Sequence, residues 1–121
     1  MPDLFCGQVV WVNLNPTIGS EQAGRRPAVV ISSNDYLATI PHVVIVLPVT
    51  SRNRGLPNHV RLEGNTGLGL DSFAMTEQPR TIDRRRILRM AGKVDVGTLD
   101  QLRHCLERFL GLDEPVRTGP L

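Results

Sequence analysis

At 121 residues, 40% apolar and 21% charged, with a formal net charge of +2, the chain has the balance of one soluble globular domain. It is long enough to bury a core without disulfides or a structural metal. Among its 14 lysines and arginines only Lys93 is a lysine, a bias that a high-GC genome and a phosphate-binding surface explain equally well, since arginine grips phosphate bidentately and stays charged.

Cys6 and Cys105 have no C-x-x-C spacing, and His42, His59 and His104 stand apart from one another. A zinc site is therefore not expected, and the cysteines read as free thiols. The opening MPDLFCGQ lacks the basic start and apolar run of a signal peptide, and no stretch is long enough to span a membrane. A reducing cytoplasm is the expected compartment.

Apolar runs are short, rich in β-branched residues and separated by turn residues. Residues 8–14 (QVVWVNL) predict a first strand, closed by Asn15-Pro16. Residues 27–32 (PAVVIS) and 43–50 (VVIVLPVT) predict two more, and their almost unbroken hydrophobicity suits strands covered on both faces. Pro48 predicts an edge or a bulge near the end of the third run. Weaker strands are expected at 59–63 (HVRLE), 71–77 (DSFAMTE) and 87–94 (ILRMAGKV). From Asp95 the period changes: Leu99, Leu102, Leu106 and Phe109, with Cys105 beside them, recur at helical spacing up to Gly111. Thr98 with Gln101 forms a possible capping box and Asp95 is the rival N-cap. The fold class read from this order is mainly β, a small antiparallel barrel or strongly bent sheet with a C-terminal helix.

Three clusters sit where strands meet loops, the usual seat of function. The first, within GSEQAGRRP, holds Ser20, Glu21, Gln22, Arg25 and Arg26. The second holds Thr50, Ser51, Arg52 and Arg54. The third holds Glu77, Gln78, Arg80 and Thr81 and continues through Asp83 to the arginines 84–86. Each alone has an ordinary reading as a solvated turn, a strand end or a charged face, and Trp11 and His59 read as packing residues. Together they suit a phosphate-containing polymer, in which arginines and hydroxyls hold phosphates and Gln, Glu or Asn read base edges. There is no GxxxxGK[ST], so nucleotide hydrolysis is not indicated.

The segment GQVVWVNLNPTIGSEQAGRRPAVVIS resembles the opening of the MazF/PemK toxins of bacterial type II toxin–antitoxin systems. The blocks LPVTS at 47–51 and EQPRTIDRRRI at 77–87 follow in the family's order, and VDVGTLDQLRHCLERFLGL resembles its closing helix. The resemblance implies a small SH3-like (CcdB/MazF-like) barrel at residues 1–112, with 113–121 as a flexible tail. It implies a homodimeric, metal-independent endoribonuclease without cofactor, cutting single-stranded RNA and neutralised by a cognate antitoxin. Carried over by position, the family's catalytic arginine falls on Arg26 and its threonine on Thr50, and its two acidic positions fall on Glu21 and Glu77. Glu21 stands between proton acceptor and a brace for Arg26. Ser20, Gln22, Arg25, Ser51, Glu77, Gln78 and Arg80 are the expected RNA contacts. Ser20 and Met75 occupy positions where some members carry histidine and arginine, so a histidine shuttle is not available at Ser20. Two other readings remain: a CcdB-like toxin acting on DNA gyrase, and a barrel that binds RNA without cutting it.

Overall fold

The computed structural model describes residues 3–16, 19 and 24–120. Seven strands and two α-helices follow in the order β1 (Gln8–Asn13), β2 (Arg25–Val30), α1 (Asn34–Thr39), β3 (Val43–Thr50), β4 (His59–Arg61), β5 (Phe73–Met75), β6 (Arg80–Asp83), β7 (Ile87–Lys93) and α2 (Val96–Leu110). A single 3-10 turn, Arg84–Arg86, joins β6 to β7. All pairings are antiparallel, in the order β4-β5-β3-β2-β1-β7 with β6 also on β3. Among the described residues the ladder does not close into a ring, so the barrel-like class is realised there as an open sheet. Register shifts beside Val9/Val10 and Trp11/Val12 mark irregularities in the β1–β7 ladder, where extra residues bend a strand.

β3 is the hub. Residues 46–48 pair with β2 on one edge. On the other, residues 43–46 pair with β6 and residues 49–50 with β5. Pro48 therefore lies inside a central strand rather than at an edge. It is tolerated because residues 47–48 fall between the two partners on that side, where a missing N–H interrupts no ladder.

Alternation along the central strands buries both faces. Val10, Val12, Leu14, Ala28, Val30, Val44, Val46 and Ile82 form one cluster, capped by Leu37 of α1. Val9, Val29, Leu47, Val49, Val60 and Ala74 form the other, covered by Leu102 of α2 with Leu99, Cys105 and Leu106. Phe109, the last residue of the expected stripe, stays 49% exposed.

Asp95, not Thr98, caps α2: its carboxylate accepts from the Thr98 N–H at 2.8 Å. The Thr98 hydroxyl instead accepts from Glu63 N–H at 3.2 Å, tying the helix start to the chain after β4. The helix ends at Gly111 in the left-handed conformation. Gly67 and Gly92 meet where the loop after β4 crosses β7: a Cβ on Gly67 would lie 2.1 Å from the Ala91 carbonyl oxygen, and one on Gly92 2.1 Å from that of Asn65. This close crossing seats the loop that continues into Leu68 and Leu70.

Two elements carry no strong signal in the sequence. α1 has six residues, too few for a helical period, although Ser33 caps it by accepting from Tyr36 N–H at 3.0 Å. β6 lies inside a stretch read as a charged loop. Its only fully buried side chain is Ile82.

Candidate functional site

The observed β2 starts at Arg25, two residues before the expected boundary, so Arg25 and Arg26 are strand residues opposite Asn13 and Val12 of β1. Arg26 Nη1 donates to the Val49 carbonyl at 3.1 Å, bringing the guanidinium beside the C-terminal end of β3. Thr50 follows at once, and its Oγ1 accepts from the Arg52 N–H at 3.1 Å. A hydroxyl that accepts one hydrogen bond still carries a proton to donate.

A cleft of about 310 Å³ opens at this point. Arg25, Arg26, Thr50 and Ser51 supply its polar wall, and Trp11, Leu68, Leu70 and Ser72 face them. Burial pulls the Arg26 guanidinium below its ordinary pKa. A cation partly stripped of water interacts more strongly with an incoming anion than an exposed one does.

The first two expected clusters thus meet in space, through strand pairing, as far as they are described. Ser20, Glu21 and Gln22 lie outside the described residues. Arg52 and Arg54 are exposed and do not line the cleft.

The third cluster is placed apart. Between the β5 pair Ala74–Val49 and the β6 pair Arg80–Val46 the chain makes an excursion, and Glu77 and Gln78 sit on it. The Glu77 carboxylate accepts from Asn58 Nδ2 at 2.9 Å and Gln78 Nε2 at 3.5 Å, and lies 3.1 Å from His59 Nε2. Burial pushes this carboxyl up, but hydrogen bonds from His59, its own backbone N–H and Gln78, with the His59 charge, outweigh it and the net direction is down. Such a carboxylate is favoured in its ionised form. His59 is buried, and its Nδ1 has no hydrogen-bond partner among the described residues. Beside Glu77 a groove of about 280 Å³ is walled by Pro79, Leu106, Phe109 and Leu110.

The arginines of the third cluster grip backbone. Arg80 donates to the carbonyls of Leu14 and Pro16 at 3.1 and 3.4 Å. Arg84 donates to Leu37, Ile40 and Val43 carbonyls at 2.7–3.0 Å, closing the end of α1. Arg86 donates to those of Asn13 and Asn15. Arg85 is the exposed one, paired with Asp83 at 2.9 Å. That pair holds the Asp83 carboxyl at a pKa of about 2, chiefly through the Arg85 hydrogen bonds.

Trp11 is the cleft residue that sequence reasoning assigned elsewhere. Its ring lines the cleft and also carries the Arg89 guanidinium at 5.1 Å from its centroid. The cleft contribution of Leu68, Leu70 and Ser72 has no signal in the sequence.

The model of PemK-like, MazF-like toxins of type II toxin–antitoxin systems matches residues 6–110. The chain belongs to this family. Endoribonuclease MazF9 of Mycobacterium tuberculosis is 39% identical over 112 residues, covering 88% of this chain and 95% of that one. The crystal structure of MazF from Deinococcus radiodurans is similar with a TM-score of 0.80 at 32% identity, over 92% of this chain and 99% of that one. A MazF chain in a MazE–MazF complex of the same organism matches with a TM-score of 0.75 at 31% identity, over 93% and 99%. In this MazF-like chain the family's R-P and V-T-S segments are the two that meet in the cleft, at Arg26 and Thr50. Among the described residues no group of three His, Cys, Asp or Glu side chains stands close enough to hold a metal ion, and no helix is long and apolar enough to cross a membrane.

Proposed function

We propose that this endoribonuclease toxin cuts single-stranded RNA at the Arg26–Thr50 cleft by attack of the RNA's own 2′-OH on the adjacent phosphorus. The P–O5′ bond breaks, leaving a 2′,3′-cyclic phosphate and a 5′-OH end. The observation that carries this reading is the Arg26 guanidinium fixed on the Val49 carbonyl beside the Thr50 hydroxyl. A fixed cation and a hydroxyl donor on one wall suit the charge that develops on the phosphorane oxygens.

Arginine is too basic to take the 2′-OH proton, so Arg26 is the charge stabiliser. The proton acceptor is then a carboxylate. Glu77 is engaged by Asn58 and His59 on the excursion before β6 and is not among the residues lining the cleft, which favours Glu21 in that role. Arg25 and Ser51 contact phosphate from the cleft wall. Ser20, Gln22 and Gln78 contact the RNA on either side, with Glu77 holding its neighbours in place. No metal takes part in this scheme.

The toxin works as a homodimer in the cytoplasm and is silenced by a cognate antitoxin whose acidic, extended segment occupies the same arginine-bearing cleft. Free Cys6 and Cys105 fit a reducing compartment, and the exposed side chains of Leu88, Phe109, Leu110 and Leu112 offer apolar surface to a second subunit.

The direct test is to incubate the purified protein with a long RNA in excess EDTA and sequence the new ends. Discrete cuts with 5′-OH ends are expected at the rate seen without chelator. Loss of cleavage in EDTA overturns the metal-free scheme, and an inert protein that inhibits gyrase overturns the nuclease. Thr50→Val keeps the side-chain shape and removes the hydroxyl. It is expected to lower kcat about 100-fold with RNA affinity retained; an unchanged kcat removes Thr50 from the chemistry.

A further inference from the structure

Beyond Asn13, β1 leaves the ladders that pair it with β2 and β7. Four consecutive carbonyls, on residues 13–16, then need other partners. Two arginines supply them in strict alternation. Arg86 takes Asn13 and Asn15, and Arg80 takes Leu14 and Pro16. Between them the two guanidiniums hold all four carbonyls of this stem. The stem is also fixed to the far end of the GSEQAGRRP segment. Leu14 N–H donates to the Gly24 carbonyl at 2.9 Å, and Gly24 N–H donates to Asn15 Oδ1 at 2.9 Å. Gly24 is followed directly by Arg25 and Arg26, themselves in register with Asn13 and Val12.

We propose that Arg86 and Arg80 are positioning residues, a clamp that holds the stem at residues 13–16 and through Gly24 sets the place of Arg26. The proposal rests on the reading of Arg26 as the charge stabiliser. It reassigns Arg80 from a phosphate contact to a backbone clamp and gives Arg86 a function in cleavage. A planar guanidinium with several N–H donors can bridge two carbonyls at once, whereas an ammonium on a flexible stem holds them without fixed geometry. Charge alone should therefore not replace Arg86.

The test compares Arg86→Ala and Arg86→Lys with the wild type in three measurements. Amide hydrogen exchange by NMR at Leu14 and Gly24 reads the clamp itself, whatever Arg26 does. Single-turnover cleavage reads the chemistry. Affinity for a 2′-O-methyl RNA oligonucleotide spanning a mapped cut, measured across salt concentrations, reads phosphate contact. Both variants are expected to exchange faster at Leu14 and Gly24 and to cleave about 10- to 100-fold more slowly, as a displaced reacting group does. The salt slope is expected to match the wild type.

Wild-type exchange at both amides overturns the clamp. So does an Arg86→Lys protein with both wild-type exchange and wild-type cleavage, which would show that charge suffices. A fall in the salt slope of about 0.7, the mark of one lost phosphate contact on a single strand, places Arg86 on the RNA and also overturns it. Arg80→Lys is read in the same way, and if Arg86→Ala fails to fold the two lysine variants decide. Loosened amides with undiminished cleavage keep the clamp as structure and reject its part in catalysis. Failure of Arg26 itself is seen separately, as an Arg26→Ala enzyme that still cuts.

Discussion

Replacing Arg26 by alanine is expected to lower kcat for RNA cleavage by about 100- to 1000-fold, the usual loss when one preorganised donor is removed from developing charge. KM should change far less, because Arg25 and Ser51 remain on the cleft wall. The effect is large for a physical reason: Arg26 is partly withdrawn from water, and one edge of its guanidinium is already fixed on the Val49 carbonyl. Little reorganisation is then left to the moment when charge builds on phosphorus. Arg26→Lys keeps the charge but loses the planar fork, and is expected to recover only a minor part of the rate. Single-turnover kinetics on a mapped RNA cut site measures both variants. Binding of the antitoxin and an unaltered melting profile show that the fold is intact. An Arg26→Ala protein that cuts within threefold of wild type, by this fold-change convention, takes Arg26 out of the mechanism.

Leu102→Ala is expected to cost about 3 kcal/mol of folding stability and to lower Tm by roughly 10 °C. Leu102 is fully buried, 0% exposed, and is the α2 residue that fills the cluster formed by Val9, Val29, Leu47, Val49 and Val60. Removing its side chain leaves a cavity between helix and sheet that the rigid central strands cannot collapse into. Val96, on the same helix but 84% exposed, is the control: its alanine variant should stay within about 0.5 kcal/mol of wild type. Calorimetry or urea unfolding separates the two. A loss below about 1 kcal/mol for Leu102→Ala means that α2 is not part of the cooperative core. Because Val49 lies in that cluster and also accepts from Arg26, cleavage by Leu102→Ala should fall at temperatures where the helix begins to detach.

The elements legible from the sequence are those whose burial is written into a period. β1, β2 and β3 read as apolar runs because both faces of the central sheet are covered, β7 read as a weaker strand, and β3 is found at the expected residues, Val43–Thr50. α2 reads from the spacing of Leu99, Leu102 and Leu106. α1 and β6 did not read, because each buries only one side chain fully, Leu37 and Ile82. Their places are set by what lies against them: Arg84 on the carbonyls ending α1, and the pairing of β6 with the first half of β3.

By itself, the sequence determined the family, the antiparallel β class with its closing helix, and the two residue types at the heart of the cleft. The class follows from the periodicity, and the family and the two residues from the resemblance of ordered motifs. An R-P at the start of one apolar strand and a V-T-S at the end of another are visible without knowing how the strands meet. Only the tertiary structure decided which of the many arginines line a cleft and which grip the chain. Arg80, Arg84 and Arg86 hold backbone carbonyls at the ends of strands and of α1, while Arg25 and Arg26 line the cleft. A guanidinium satisfies a carbonyl as readily as a phosphate. Which one it meets depends on where strands end in space, and no spacing along the chain records that.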